Sequence, residues 1–323
     1  MKISRTAAII VFLGLVSLVF AGDAICAGKV KIIFDTDLAG DIDDAFAHAL
    51  VQISPEFEVL GITLADGPTD LRAKVSCRML YICAQENIPV AVGRPTRQGS
   101  ANPKQLHWGD GFDRIQPMKK PAADFIIETL RKYPHEVIII SVGPVTNLAD
   151  VIKKDPEAWK LVKGVYSMFG SFYVGYGSDP RISPEWNVRA DVESAKTFMT
   201  SGVPITLAGL DVTTMVKYNE KRRLALLMRN SPLTDALCGL YSLWADGDMD
   251  RSPTLYDPVA VTMVINSDFV TTRDAYVRVT DGGYTVIDES KPPNCTIGMT
   301  IRTEAFLDWL EGRLLGQNLM RKE

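Results

Sequence analysis

KIIFDTDLAGDIDDAFAHAL, residues 31–50, decides how the rest of the chain is read. Ile32, Ile33 and Phe34 form a continuous apolar run, which predicts a strand buried on both faces. The run stops at Asp35, and Asp37, Asp41, Asp43 and Asp44 follow within ten residues. Phe46, Ala49, Leu50 and Ile53 then recur at helical spacing, so a helix is expected from near Asp43. A strand whose carboxyl end opens into a helix is where open α/β sheets bind ligands. A helix dipole accounts for one or two acids, but not for five. Carboxylates this dense raise one another's pKa unless a cation sits among them. Oxygen ligands without clustered Cys or His point to Ca²⁺ or Mg²⁺ rather than zinc. A solvated, acid-capped helix start is the plainer reading, and it leaves the abutting buried strand unexplained.

Outward from this stretch, composition sets limits. The chain has 323 residues, 46% of them hydrophobic, and a net charge of −4. That is ample for a large core and argues against a nucleic-acid surface. No Pro/Gly/Ser-rich linker or internal repeat divides it, so residues 28–323 read as one α/β domain. Residues 1–27 read as a secretory signal: Lys2 and Arg5, an apolar run over 7–20, then cleavage after Ala21, Ala24 or Ala27. The expectation is a secreted or periplasmic protein with no stable membrane insertion after cleavage. Export permits disulfides. Cys77 and Cys83 lie six apart on one predicted helix and face different ways. A Cys238–Cys295 bridge and buried free thiols both stay open.

Further strands are expected over 58–64, 88–92, 136–142, 164–169 and 204–210, alternating with helices that include one over 70–86 and more than one over 219–245. This rhythm predicts an open, mostly parallel, doubly wound (Rossmann-like) sheet. Segments 275–279, 284–288 and 295–301 read as a small C-terminal antiparallel element, and 304–315 as a closing amphipathic helix. Residues 94–121 read as a long loop.

DTDLAGDIDDA resembles the N-terminal signature of the inosine–uridine-preferring nucleoside hydrolases, D-x-D-P-G-x-D-D-A. Two extra residues stand before the Asp pair, a spacing similar to a divergent branch of that superfamily. Other blocks extend the likeness in order from about residue 30 to 310. Ser141-Val142-Gly143-Pro144-Val145-Thr146-Asn147 is similar to the family's strand end that gives a backbone carbonyl to Ca²⁺. Pro184-Glu185-Trp186-Asn187 resembles A-E-F-N, and Tyr256-Asp257-Pro258 resembles His-Asp-Pro. His107-Trp108-Gly109 is similar to a His-Gly segment near the nucleobase pocket; a surface His is the plainer reading. Gly209-Leu210-Asp211-Val212-Thr213 matches G-L-D-x-T, read here as structural support.

The resemblance implies the nucleoside hydrolase fold and metal-assisted hydrolysis of an N-glycosidic bond. Asp37, Asp44, Asp257 and the Val142 carbonyl would hold Ca²⁺, with Asp37 also acting as general base toward a water made more acidic by the ion. Asp43, Glu185 and Asn187 would grip ribose hydroxyls. Asp66, or Asp70, would replace an Asn that the family carries where this chain has Gly67-Pro68, and Asp179 loosely matches a further Asn. Asp41 belongs to the lengthened loop and would replace or supplement one of the metal ligands. Tyr256 stands where the family's proposed leaving-group acid is His, so Tyr256 would hydrogen-bond the departing base and His107 or a water would carry any acid role. The expected partners are a small nucleoside and further copies of the chain, as dimer or tetramer. Two other readings compete: a metal-retaining nucleoside- or sugar-binding protein without turnover, and an aspartate-dependent phosphatase suggested by Asp35-Thr36-Asp37.

Overall fold

The computed structural model describes residues 28–97, 99 and 101–320. The expected signal, residues 1–27, lies outside them, as does Cys26. Ten strands follow in chain order: β1 Val30–Thr36, β2 Phe57–Leu64, β3 Val90–Val92, β4 Ile138–Ser141, β5 Gly164–Met168, β6 Ile205–Ala208, β7 Val270–Ala275, β8 Val277–Val279, β9 Thr285–Ile287 and β10 Cys295–Ile301. Eight of them form one sheet in the order β3-β2-β1-β4-β5-β6-β10-β7. All neighbours pair in parallel except β10 with β7. Ile32, Ile33 and Phe34 are fully buried, which explains why β1 reads as an unbroken apolar run. Helices cover both faces, and the core falls into two clusters, with Ile32 and Phe34 in one and Ile33 in the other.

The expected C-terminal antiparallel element is present, and one of its segments lies elsewhere than expected. Segment 295–301 is no hairpin partner; it joins the main sheet parallel to β6 and is flanked by β7. Thr271, Thr272, Arg273 and Asp274 fill the interior of β7, and a polar edge strand has no apolar alternation to betray it. Only β8 and β9 form the small separate antiparallel pair. Segment 219–245 is two helices, Glu220–Arg229 and Pro232–Ala245, separated where Asn230 turns left-handed at φ 49° and Ser231 caps the second. Within 94–121 a short helix, Pro103–His107, is capped by Asn102. Cys77, Cys83, Cys238 and Cys295 are free thiols. No helix of the described residues is long and apolar enough to cross a membrane.

From β1 the sheet runs one way to β2 and β3, and from β4 the other way to β5 and β6. The strand order therefore reverses between β1 and β4. A crevice opens at the carboxyl ends of such a pair. Asp35, Thr36 and Asp37 stand at that end of β1, and Val142 and Gly143 at that end of β4.

Candidate active site

The crevice is a cavity of about 220 Å³ lined by Asp37, Asp41, Asp43, Asp44, Val142, Met168, Tyr176, Glu185, Trp186, Asn187, Tyr256 and Asp257. Six carboxyl side chains face it, and no Lys, Arg or His is among its lining residues. Asp37, Asp43, Asp44 and Asp257 are each at most 4% exposed. Two helices, Asp43–Ile53 and Asp257–Ile265, pack together and start at this point, so both dipoles favour negative charge there. The Asp257 amide donates to Asp43 Oδ2 (3.2 Å), and Thr36 Oγ1 donates to Asp44 Oδ1 (2.5 Å).

Carboxylate oxygens of Asp43, Asp44 and Asp257 lie within 4.8 Å of one another. Burial first, and then the neighbouring carboxylates, hold all three well above the usual carboxylate range. Such a trio is hard to keep ionised without a cation, and its all-oxygen chemistry fits a hard divalent ion. Of the residues expected to hold metal, Asp44 and Asp257 are in the trio. Asp37 and Val142 line the same cavity beside it, and Asp43, expected on the sugar, is the third member. Asp41 is exposed, with Oδ1 accepting from the Ile42 amide (2.7 Å).

Gly143 sits so close to Asp37 that a β-carbon there would lie 2.8 Å from the Asp37 amide nitrogen and 2.9 Å from Oδ1. The glycine is thus required by close approach rather than by a left-handed turn. Glu185 accepts from the amides of Asn187 (2.8 Å), Gly170 (3.1 Å) and Val188 (3.3 Å), and burial pushes its carboxyl up to about 7 despite these bonds. Asn187 Nδ2 donates to the carbonyls of Val142 (2.9 Å) and Met168 (3.0 Å). Its carbonyl oxygen is then the acceptor a sugar hydroxyl would use. The Val142 carbonyl, in turn, is oriented by Asn187.

Tyr176, Trp186 and Tyr256 form an aromatic wall. Tyr176 and Tyr256 meet edge to face at 6.3 Å, and Tyr176 Oη accepts from the Trp186 amide (2.8 Å). The Trp186 indole Nε1 is buried without a hydrogen-bond partner. Burial pushes the Tyr256 phenol up to about 12, so it is a neutral donor near neutral pH.

Four expected site residues, His107, Asp179, Asp66 and its alternative Asp70, lie elsewhere. His107 is exposed and bonded to Asp110 through Nδ1 (2.6 Å), outside the cavity lining, because its short helix turns it to solvent. Asp179 is held by Arg181 (2.8 Å) and is not among the cavity-lining residues, where Tyr176 from the same loop stands instead. Asp66 is buried but turned to Arg72 and Thr96. Asp70 is exposed and also absent from the lining. Asp211 accepts from the amides of Phe172, Tyr173 and Val174, the structural role expected of its block. Asp35 accepts from Thr63 (2.5 Å), Ser141 (3.2 Å) and Asn147 (2.7 Å), and burial raises it to about 6. A carboxylate so enclosed ties three strands together and has no path to a phosphoryl group, which removes the phosphatase reading.

Residues 32–308 match the family model described as inosine-uridine preferring nucleoside hydrolase. The chain belongs to that family. Nucleoside hydrolases cleave N-glycosidic bonds, and family members are metal-dependent, in keeping with the acid trio. Uridine nucleosidase 1 of Arabidopsis thaliana is 29% identical over 88% of this chain and 93% of its own length. The pyrimidine-specific ribonucleoside hydrolase RihA of Citrobacter koseri is 28% identical over 88% and 98%. A plant nucleoside hydrolase structure superposes with a TM-score of 0.79 at 24% identity, covering 90% of this chain and 100% of that one. A purine-preferring ribonucleoside hydrolase from Gardnerella vaginalis gives 0.78 at 23%, covering 88% and 98%. These likenesses to nucleoside hydrolase structures bear on the fold.

Proposed function

We propose that this chain is an exported, Ca²⁺-dependent hydrolase of ribonucleosides that releases ribose and free base. The observation that carries the metal reading is the convergence of Asp43, Asp44 and Asp257 within 4.8 Å in a cavity lacking any basic lining residue. The ion would be held by Asp44 and Asp257 with Asp37, Asp43 and the Val142 carbonyl around them. When bound, it supplies positive charge that engages the sugar diol and makes a water more acidic. Asp37 takes the proton of the attacking water. Cleavage passes through an oxocarbenium-like transition state, which the ring of carboxylates stabilises. Glu185 and the Asn187 carbonyl oxygen grip ribose hydroxyls. Tyr176, Trp186 and Tyr256 cover the base, with the Tyr256 hydroxyl as a donor to it. The names of the Arabidopsis and Citrobacter relatives make uridine the first substrate to try. Residues 1–27 support export.

Ribose release from uridine, inosine and their 2′-deoxy counterparts tests the substrate class. A site built for a diol rejects an analogue lacking one hydroxyl by leaving buried polar groups unpaired. The 2′-deoxynucleosides should show far lower kcat/KM. Comparable values for both series would refute the diol assignment.

A further inference from the structure

Arg72 lies enclosed near the acidic loop: its side chain has no solvent exposure. It comes from the helix Thr69–Ile82, which follows β2. Nη1 donates to the carbonyls of Asp37 and Leu38 (2.7 Å to the latter), and Nε donates to the carbonyl of Asp66 (2.8 Å). Nη2 lies 3.8 Å from Asp37 Oδ2 and 3.7 Å from Asp66 Oδ2. One guanidinium therefore joins the lengthened loop after β1 to the loop after β2.

The second loop is built to receive it. Asp66 and Gly67 both adopt left-handed φ, 59° and 60°. Thr96, beyond β3, donates its hydroxyl to Asp66 Oδ1 (2.8 Å) and accepts the Gly67 amide (2.7 Å). So Thr96 holds Asp66, Asp66 faces Arg72, and Arg72 holds the backbone of Asp37 and Leu38. The next residue, Ala39, is itself left-handed at φ 71°, a conformation an alanine keeps only when its surroundings fix it.

We infer that Arg72 is a positioning residue: its fork presets Asp37 and the lengthened loop for the cation. The inference rests on the metal reading above. A lysine would keep the charge, yet its single ammonium cannot reproduce a planar fork bonded to three carbonyls. If charge alone mattered, Arg72→Lys would behave as the natural protein. If geometry matters, Arg72→Lys and Arg72→Met should fail alike.

Calorimetric Ca²⁺ titration of the metal-stripped full chain distinguishes these cases. Supporting groups around a metal site typically change its affinity about 10–100-fold, and a loss of that size is expected for both Arg72 variants. Thr96→Val removes the hydroxyl that bonds Asp66 and the Gly67 amide and should lower Ca²⁺ affinity in the same direction, by less. Its ribose-release rate should return to the natural value at saturating Ca²⁺, with only the half-saturating concentration raised. A merely structural defect would lower the rate at every Ca²⁺ concentration. Natural Ca²⁺ affinity in Arg72→Lys, or in Thr96→Val should Arg72→Lys not fold, overturns the inference. Absence of Ca²⁺ uptake by the natural protein overturns the metal reading, and this inference with it.

Discussion

At the level of single residues, the leaving group sets the sharpest question. A base departs more easily when protonated or strongly hydrogen-bonded, and general-acid help is typically worth about 10²–10⁴ in rate. The Tyr256 phenol, pushed up to about 12, donates a hydrogen bond but does not give up its proton near neutral pH. Tyr256→Phe should therefore cost modest activity on inosine and almost none on a p-nitrophenyl riboside, whose leaving group needs no donor. A collapse of inosine hydrolysis that spares the activated riboside would make Tyr256 the acid. His107, exposed and paired with Asp110, lies outside the cavity lining. His107→Ala should leave kcat and KM for uridine within about twofold, the small effect of a surface change away from structural features. Asp257→Asn is the opposite case. It removes one member of the acid trio, and both Ca²⁺ retention by elemental analysis and the Ca²⁺-linked rise in Tm should vanish.

At the level of elements, the carboxyl ends of β1 and β4 must approach without a side chain between them. Gly143→Ala would drive a methyl to within 2.9 Å of Asp37 Oδ1 and 2.8 Å of its amide nitrogen. Overpacking of this kind costs about 1–3 kcal/mol, so the variant should melt several degrees lower and bind Ca²⁺ more weakly. An unchanged affinity would mean that Asp37 can move without consequence for the cation. This meeting of strand ends was half legible in the sequence. The apolar run at Ile32–Phe34 and the clustered aspartates are contiguous, whereas Asp257 and Glu185 are readable only through short blocks that resemble family motifs. Asp35 reads as one more acid in the cluster. Its enclosure by Thr63, Ser141 and Asn147 comes from three other segments and leaves no mark nearby. Arg72 was hidden for the same reason, since a lone Arg on a helix ordinarily reads as a solvated face. Tyr176 lies three positions before Asp179, in a loop whose path depends on left-handed Gly177 and Ser178. No periodicity forecasts which of them faces the cavity. The edge strand β7 escaped because its interior is polar.

At the level of the whole molecule, the buried acids link stability to pH and to metal. In metal-free protein, burial raises Asp35 to about 6 and Glu185 to about 7, and burial with the neighbouring carboxylates holds Asp43, Asp44 and Asp257 well above the usual carboxylate range. Unfolded carboxyls titrate near 4. Between that value and the folded pKa the native state holds more protons than the unfolded chain, so stability falls as pH rises. For Glu185 alone the full loss is on the order of 3 kcal/mol. Calorimetry in chelator should show Tm dropping as pH rises from about 5 to about 8, and excess Ca²⁺ should flatten that slope. A Tm in chelator that rises over the range would contradict the assignment of these groups. The same coupling leads to the most direct test of a metal-dependent ribonucleoside hydrolase. Metal-stripped protein is titrated with Ca²⁺ while bound ion and ribose released from uridine are measured in the same samples. Both should start near zero and rise together, levelling off at one ion per chain. Full ribose release in chelator, or stoichiometric Ca²⁺ uptake without any ribose from uridine or inosine, would contradict the account.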